Sequence, residues 1–309
     1  MDTNRRLAAA HAVLAQVERD HACSWGALCA AFGKPAVETA KKHGLIEAVL
    51  PGFYVARDRS ADFHVRAAAL AAWATPSGAI TGLAAAHLWH LIDAPPPRIT
   101  LQVPPGWHRE PPPWARLLRT DSVAQRYRLG AVRVVSPADA VVQVWCEARH
   151  DVGASTVIAA VMEGRAAVAE VRAALARRKR VARRGELTQL LDLVGTTVTS
   201  YLEYVAWKRV FPPHLFPELQ WQETVSVNGR KRIMDACNPD AKIDLEFDGG
   251  STHGGVAGFE RDRARDRDLR SLGYEPLHFT YRDLTERPEW CRRMYRELRA
   301  KRLREQRSA

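Results

Sequence analysis

The chain has little cysteine and no close pair of it. Cys23, Cys29, Cys146, Cys237 and Cys291 are odd in number, widely scattered and form no CxxC. That argues against a disulfide framework or a zinc knuckle, and leaves reduced, mostly buried thiols as the expectation. A run of about 18 apolar residues, needed to span a bilayer, is also missing. The opening MDTNRRLAAAH has no long apolar stretch of the secretory kind. No membrane partner and a cytoplasmic location are therefore expected. No aromatic stacking platform of the kind used by single-strand modules is evident, so an RNA-directed function ranks last.

What is present is positive charge and apolar residues enough for packed cores. Lys and Arg total 46 against 35 Asp and Glu, a net +11, and 46% of the residues are hydrophobic. The charge balance favours polyanions, with nucleic acid ahead of acidic membrane. At 309 residues the chain exceeds the size of one typical core, so several domains are expected.

Apolar residues Leu7, Ala10, Val13, Leu14 and Val17 recur at helical spacing. Ser24 is placed to cap a second helix, Trp25 to Phe32. Gly33 closes it, Pro35 opens a third that runs to about His43, and Gly44 stops that one. Two short strands around Pro51-Gly52 follow. Three helices and a hairpin give the winged helix-turn-helix order over residues 1–58. In that arrangement the third helix presents Glu38, Lys41 and Lys42 to DNA, and the alternative is a protein-protein module.

Residues 59–150 read as a small α+β unit, with helices at Ala61 to Thr75 and Ala79 to Leu91, strands at Arg98 to Val103, Arg116 to Thr120 and Gly130 to Val135, and a helix opened by Ser136-Pro137. Residues 151–196 read as a helical linker carrying the basic run Ala176 to Arg184. Such a run is expected to be a solvated face, with backbone-phosphate contact as the sharper alternative.

Within residues 197–309 the order reads αβββαβ. The first helix carries Glu203, and Asn228-Gly229 marks a tight hairpin. The strand Lys242 to Asp248 ends at Gly249-Gly250, and a charged helix runs from Phe259 to Leu272. Asp235 ends one strand, and Glu246 and Asp248 lie at alternate positions of the next, so the three carboxylates are expected to converge. Crowded carboxylates repel unless a cation neutralises them, which points to Mg²⁺ or Mn²⁺ acting on a phosphodiester. His253 follows the glycine turn within reach, as proton carrier or phosphate contact. Asp262, Arg265 and Asp266 share a helical stripe, where Arg265 would meet a carboxylate or phosphate and the two acids would position it. Each has a structural alternative as well. Asp235 could cap the turn at Asn238, Glu246 could pair with Arg232, and Asp262 and Asp266 could lie on a solvated, arginine-laced helix.

The pattern of Glu203, Gln222, Asp235, Glu246-Phe247-Asp248-Gly249, His253, Asp262-Arg263-Ala264-Arg265-Asp266, Leu269 and Gly273-Tyr274 resembles the very-short-patch-repair relatives of the restriction-endonuclease-like superfamily. The resemblance covers about the last third of the chain. It implies Asp235 and Glu246 as metal ligands, Glu203 as an auxiliary acid and His253 as a catalytic or phosphate-contacting group. The superfamily's usual lysine is replaced by Asp248, as in relatives with Asp-Gly there, which leaves the general base unassigned. Lys242, at the far end of the strand, is a poor substitute.

The first 150 residues resemble regulatory antitoxins of the AbiE type, through Gly44-Leu45 to Gly52-Phe53-Tyr54-Val55, Ile80 to Leu88 and Val135 to Ala140. Together these lead to an expected metal-dependent DNA endonuclease with a DNA-binding or regulatory front half, set in defence or repair. The alternative is an antitoxin-like transcriptional regulator whose nuclease-like domain does not cut. DNA is the expected partner, with a protein partner or self-association beside it.

Overall fold

A computed structural model describes residues 2–121, 124–249 and 256–308, with the side chains of residues 2, 3 and 256–262 undescribed. Among the described residues the fold is mixed α and β with three sheets, and it divides into two compact units, Met1–Thr188 and Gln189–Ala309. Among the described residues no helix is long and apolar enough to cross a membrane. All five cysteines are free thiols, with Cys23, Cys237 and Cys291 buried.

The first unit opens with α1 (Asp2–Asp20), β1 (Cys23–Ser24), α2 (Trp25–Phe32), α3 (Lys34–Lys42), β2 (Ile46–Leu50) and β3 (Phe53–Ala56). Ser24 starts α2 by accepting the Ala27 N–H at 3.2 Å. Gly33, at φ +82°, makes the break before Pro35 begins α3, a conformation that suits glycine. The strands form a sheet of order β1-β3-β2. Val13, Val17, Leu28, Val37, Ala40 and Ile46 form one core between helices and sheet. Only Ala36, Val37 and Ala40 of α3 are buried, which leaves Glu38, Lys41 and Lys42 on its exposed side.

The unit continues through α4 (Phe63–Trp73), β4 (Ala79–Thr81), α5 (Gly82–Leu88), β5 (Ile99–Val103), β6 (Ala115–Arg119), β7 (Arg126–Leu129), β8 (Val132–Val135) and α6 (Pro137–Glu147). Its five strands pair in the order β6-β5-β4-β8-β7. Ser136 caps α6, accepting the Asp139 N–H at 3.0 Å while its hydroxyl donates to Asp139 Oδ2 at 2.7 Å.

Residues 151–188 pack into this unit and are not a free linker. They contribute α7 (His150–Met162), α8 (Val168–Ala176) and the start of α9 (Arg184–Leu193). The basic run after α8 is largely tied down. Arg177 Nη2 bonds both oxygens of buried Asp139, at 2.9 and 3.0 Å. Arg178 donates to Gln143 at 2.5 Å. Arg183 lies over the Trp145 ring, 4.9 Å from its centroid, and the Trp145 indole N–H donates to the Ala182 carbonyl at 2.9 Å.

The second unit contains α10 (Tyr201–Val205), a wider π turn over Ala206–Val210, β9 (Gln220–Val227), β10 (Arg230–Asn238), β11 (Ile243–Asp248), α11 (Val256–Ser271), β12 (Glu275–Thr280), α12 (Tyr281–Glu286) and α13 (Pro288–Ser308). α10 begins later than the apolar pattern suggests because Ser200 caps it, accepting the Glu203 N–H at 3.2 Å. Asn228 and Gly229 both adopt positive φ, 51° and 77°, as the two-residue hairpin between β9 and β10 demands. The sheet runs β12-β11-β10-β9, with β11 parallel to β12 and antiparallel to β10. On one face Ile243, Leu245 and Phe247 join Phe211, Phe216, Phe279 and Tyr295 in an aromatic core. The other face of β11 carries the acids.

Candidate active site

Alternation along β11 turns Asp244 and Glu246 away from the aromatic core. Both are buried, Asp244 with no exposed surface and Glu246 with 5%. Among the described residues no donor outside the acidic cluster reaches either oxygen of Asp244. Asp248 lies at the strand end, exposed. Its carboxylate turns to His278, with Oδ2 3.0 Å from His278 Nδ1.

Asp235 enters from β10. Main-chain pairing of β10 with β11 ends at Ala236 opposite Leu245, and beyond that rung Asp235 Oδ2 accepts the Phe247 N–H at 2.9 Å. The side chain therefore substitutes for a ladder bond, and Asp235 does not cap the Asn238 turn. That role belongs to Asn238 itself, whose Oδ1 accepts the Ala241 N–H at 2.9 Å.

Glu203 is buried and held on several sides. It accepts the Thr199 N–H at 2.7 Å, the Thr199 hydroxyl at 2.9 Å and the Gln222 amide at 2.8 Å. Gln222 adopts φ +54°, strained for a residue with a side chain, and it interrupts the β9–β10 ladder between Glu223 and Trp221. Two residues quoted for the family resemblance, Glu203 and Gln222, are thus directly bonded.

The charges respond to this crowding. Burial, followed by the charge of Glu203, pushes the Asp235 pKa up to about 6 against the pull of the Phe247 N–H. Burial raises Glu246 further, reinforced by Asp244 and Asp235. Asp244 is raised too, again chiefly by burial. Against them stands Arg265 of α11, which donates to Glu246 Oε1 and to the Ile233 carbonyl. Arg265, expected at a carboxylate or at phosphate, takes the carboxylate. Arg232 pairs with Asp268 at 2.6 Å, so it is not the partner of Glu246.

At the rim, His278 of β12 sits beside Glu246 in the parallel register. Its Nδ1 is 3.0 Å from Asp248 Oδ2 and its Nε2 is 3.6 Å from Asp266 Oδ2. The hydrogen bond to Asp248, then the charges of Asp248 and Asp266, raise its pKa despite partial burial. Asp266 is therefore a partner of His278 and not a solvated helix charge. His253 lies outside the described residues, as does the side chain of Asp262. Lys242 is occupied elsewhere, with its ammonium 4.5 Å from the centre of the Tyr274 ring.

Sequence reasoning missed Asp244 and His278. The only signal for Asp244 was its spacing two residues before Glu246. His278 had none, because its neighbours are set by the pairing of β11 with β12. Lys41 and Lys42 belong to the first unit. Among the described residues, no three His, Cys, Asp or Glu side chains are grouped as a ready metal cage. Asp235, Asp244 and Glu246 nonetheless supply oxygen donors whose charge one arginine offsets. No protein-family model matches the chain, and no curated protein matches it.

Proposed function

We propose that the second unit is a divalent-cation-dependent endonuclease acting on DNA, and that the first unit recruits it to DNA through a winged helix. The observation that carries this reading is the cluster of half-buried Asp235 with buried Asp244 and Glu246, all three with raised pKa values. Side chains crowded this way favour a hard cation. The donors fit Mg²⁺ or Mn²⁺, since they are all carboxylate oxygens and, among the described residues, those of Asp244 meet no donor outside the acidic cluster. Mg²⁺ commonly uses only one or two carboxylates and completes its shell with water and phosphate, so a preformed cage is not required.

Asp235 and Glu246 would hold the ion, and Asp244 beneath them would add negative charge. The bound ion would orient a water and offset charge building on the phosphodiester. Glu203, fixed by Thr199 and Gln222, orders the adjoining edge and sustains the negative potential at Asp235. His278, whose pKa is raised by its hydrogen bond to Asp248 and by the charges of Asp248 and Asp266, places an imidazole at the rim that would meet the scissile phosphate or its leaving oxygen. It stands by the strand end where the superfamily's lysine is replaced by Asp248. In the first unit, the three helices and hairpin with Lys41 and Lys42 exposed on α3 support groove contact.

A second reading is an antitoxin-type regulator that binds DNA without cutting, supported by the Arg265–Glu246 pair and by Asp248 in place of lysine. One experiment separates them. Supercoiled plasmid, linear duplex and single-stranded DNA are incubated with the protein in Mg²⁺, Mn²⁺ or EDTA, beside Glu246→Ala. Metal-dependent nicking or cutting that the variant loses supports the nuclease. EDTA-insensitive binding with every substrate intact favours the regulator.

A further inference from the structure

The basic run that follows α8 is divided in its duties. Arg177, Arg178, Arg183 and Arg184 bond groups of the first unit, Arg184 by donating to the Leu175 carbonyl at 3.1 Å. Lys179 and Arg180 are exposed, the Lys179 ammonium 3.8 Å from Asp121 Oδ2. Where this segment passes the end of β6 and the side of α6 there is a cavity of about 740 Å³. Arg119, Arg177, Arg178, Lys179 and Arg180 line it against a single acid, Asp121.

Two further features mark it as a place for an anion. The Nε–H groups of Arg177 and Arg178 meet no acceptor among the described residues, so neither guanidinium has all its donors used within the first unit. Burial also lowers the Arg178 pKa, opposed by Cys146 and Asp139, so an added negative charge would favour its ionised form. The volume suits a nucleotide-sized ligand, since sites for small molecules occupy about 300–1,000 Å³. Leu118 and Cys146 bring apolar surface to the same wall.

We propose that this cleft binds a phosphorylated nucleotide, its phosphates accepting from the arginines and its base lying toward Leu118 and Cys146. The nucleotide is either free or the phosphorylated end of a strand, because both present the same phosphate ester. Planar guanidinium groups match phosphate through paired N–H donors. This site is independent of the carboxylate cluster and of any cleavage there.

Calorimetric titration of the full chain in EDTA tests it, using ATP, a ten-residue oligothymidylate with 5′-phosphate or 5′-hydroxyl, and hexaglutamate. Arg177 and Arg178 brace the fold, so the variant is Lys179→Glu with Arg180→Glu, both exposed. Binding of ATP assigns a free nucleotide, and binding of the 5′-phosphorylated strand in preference to the hydroxyl strand assigns a strand end. In either case the double variant should weaken the affinity at least tenfold, and Glu246→Gln should leave it unchanged. No binding by the parent chain, equal binding of hexaglutamate, or undiminished binding by the double variant would overturn the assignment.

Discussion

Without a cation, so crowded a set of acids should make stability fall as pH rises. Asp235 holds its proton more tightly in the folded chain, at about 6 against an ordinary 3.8. Between those values the folded state carries more protons than the unfolded one, so raising the pH favours unfolding. The full effect for Asp235 alone is about 3 kcal/mol, of which about 1.4 kcal/mol falls between about pH 5 and pH 8. Glu246 is raised as well and acts in the same direction. The window begins near pH 5 because Asp62 and Asp283 have lowered pKa values, and their stabilising contribution is lost only in stronger acid.

For a unit of this size 1 kcal/mol corresponds to about 4 °C of melting temperature. Scanning calorimetry of the chain in EDTA should therefore show a transition that drops by about 6 °C or more between pH 5 and pH 8. Mn²⁺ at about 100 times its Kd should return about 2.7 kcal/mol at pH 8. Asp235→Asn, which keeps an acceptor for the Phe247 N–H, should flatten the pH slope and weaken the response to metal. A transition that stays level or rises across this range in EDTA, with no response to Mn²⁺, would refute the reasoning about crowded charge.

Other outcomes follow from particular contacts. Glu246→Gln should reduce metal-dependent cleavage by about 10³-fold or more, consistent with loss of a preorganised electrostatic group, while gel-shift affinity in EDTA is retained. Gln222→Ala removes the amide bound to Glu203 and should cost about 1–3 kcal/mol in urea unfolding. Arg177→Ala strips the cation from buried Asp139 and should destabilise the first unit by about 3 kcal/mol, measured the same way. Lys41→Ala with Lys42→Ala should lower duplex affinity and reduce the dependence of log affinity on log salt by about 2. Unchanged affinity and slope would count against groove contact by α3.

Local punctuation was the most legible part of the sequence. Ser24, Gly33 and Pro35 mark the junction of α2 with α3, and Asn228-Gly229 marks the β9–β10 hairpin, because caps and turns depend on a few adjacent residues. Alternation along β11 correctly separates its apolar face from Asp244 and Glu246. Periodicity has no information on exposure at a strand end, where Asp248 lies exposed beside His278. Contacts set by distant pairing were not legible. β1 is only two residues long and exists through its pairing with β3, and His278 meets Asp248 through the parallel register. The basic run looked like a solvated linker because its partners, Asp139, Gln143 and Trp145, lie some 35 residues away.

Asp235 has two employments, since its carboxylate accepts a main-chain N–H exactly where the β10–β11 ladder lacks a rung. Selection for folding alone would preserve an acceptor at that position, even in a lineage that no longer cleaved anything. An acid or amide at 235 would then be a poor marker of the proposed activity among descendants of this chain. Glu246, raised in pKa and paired with Arg265 beside Asp244, repays the fold far less. Its loss would be the earlier sign that chemistry had been abandoned.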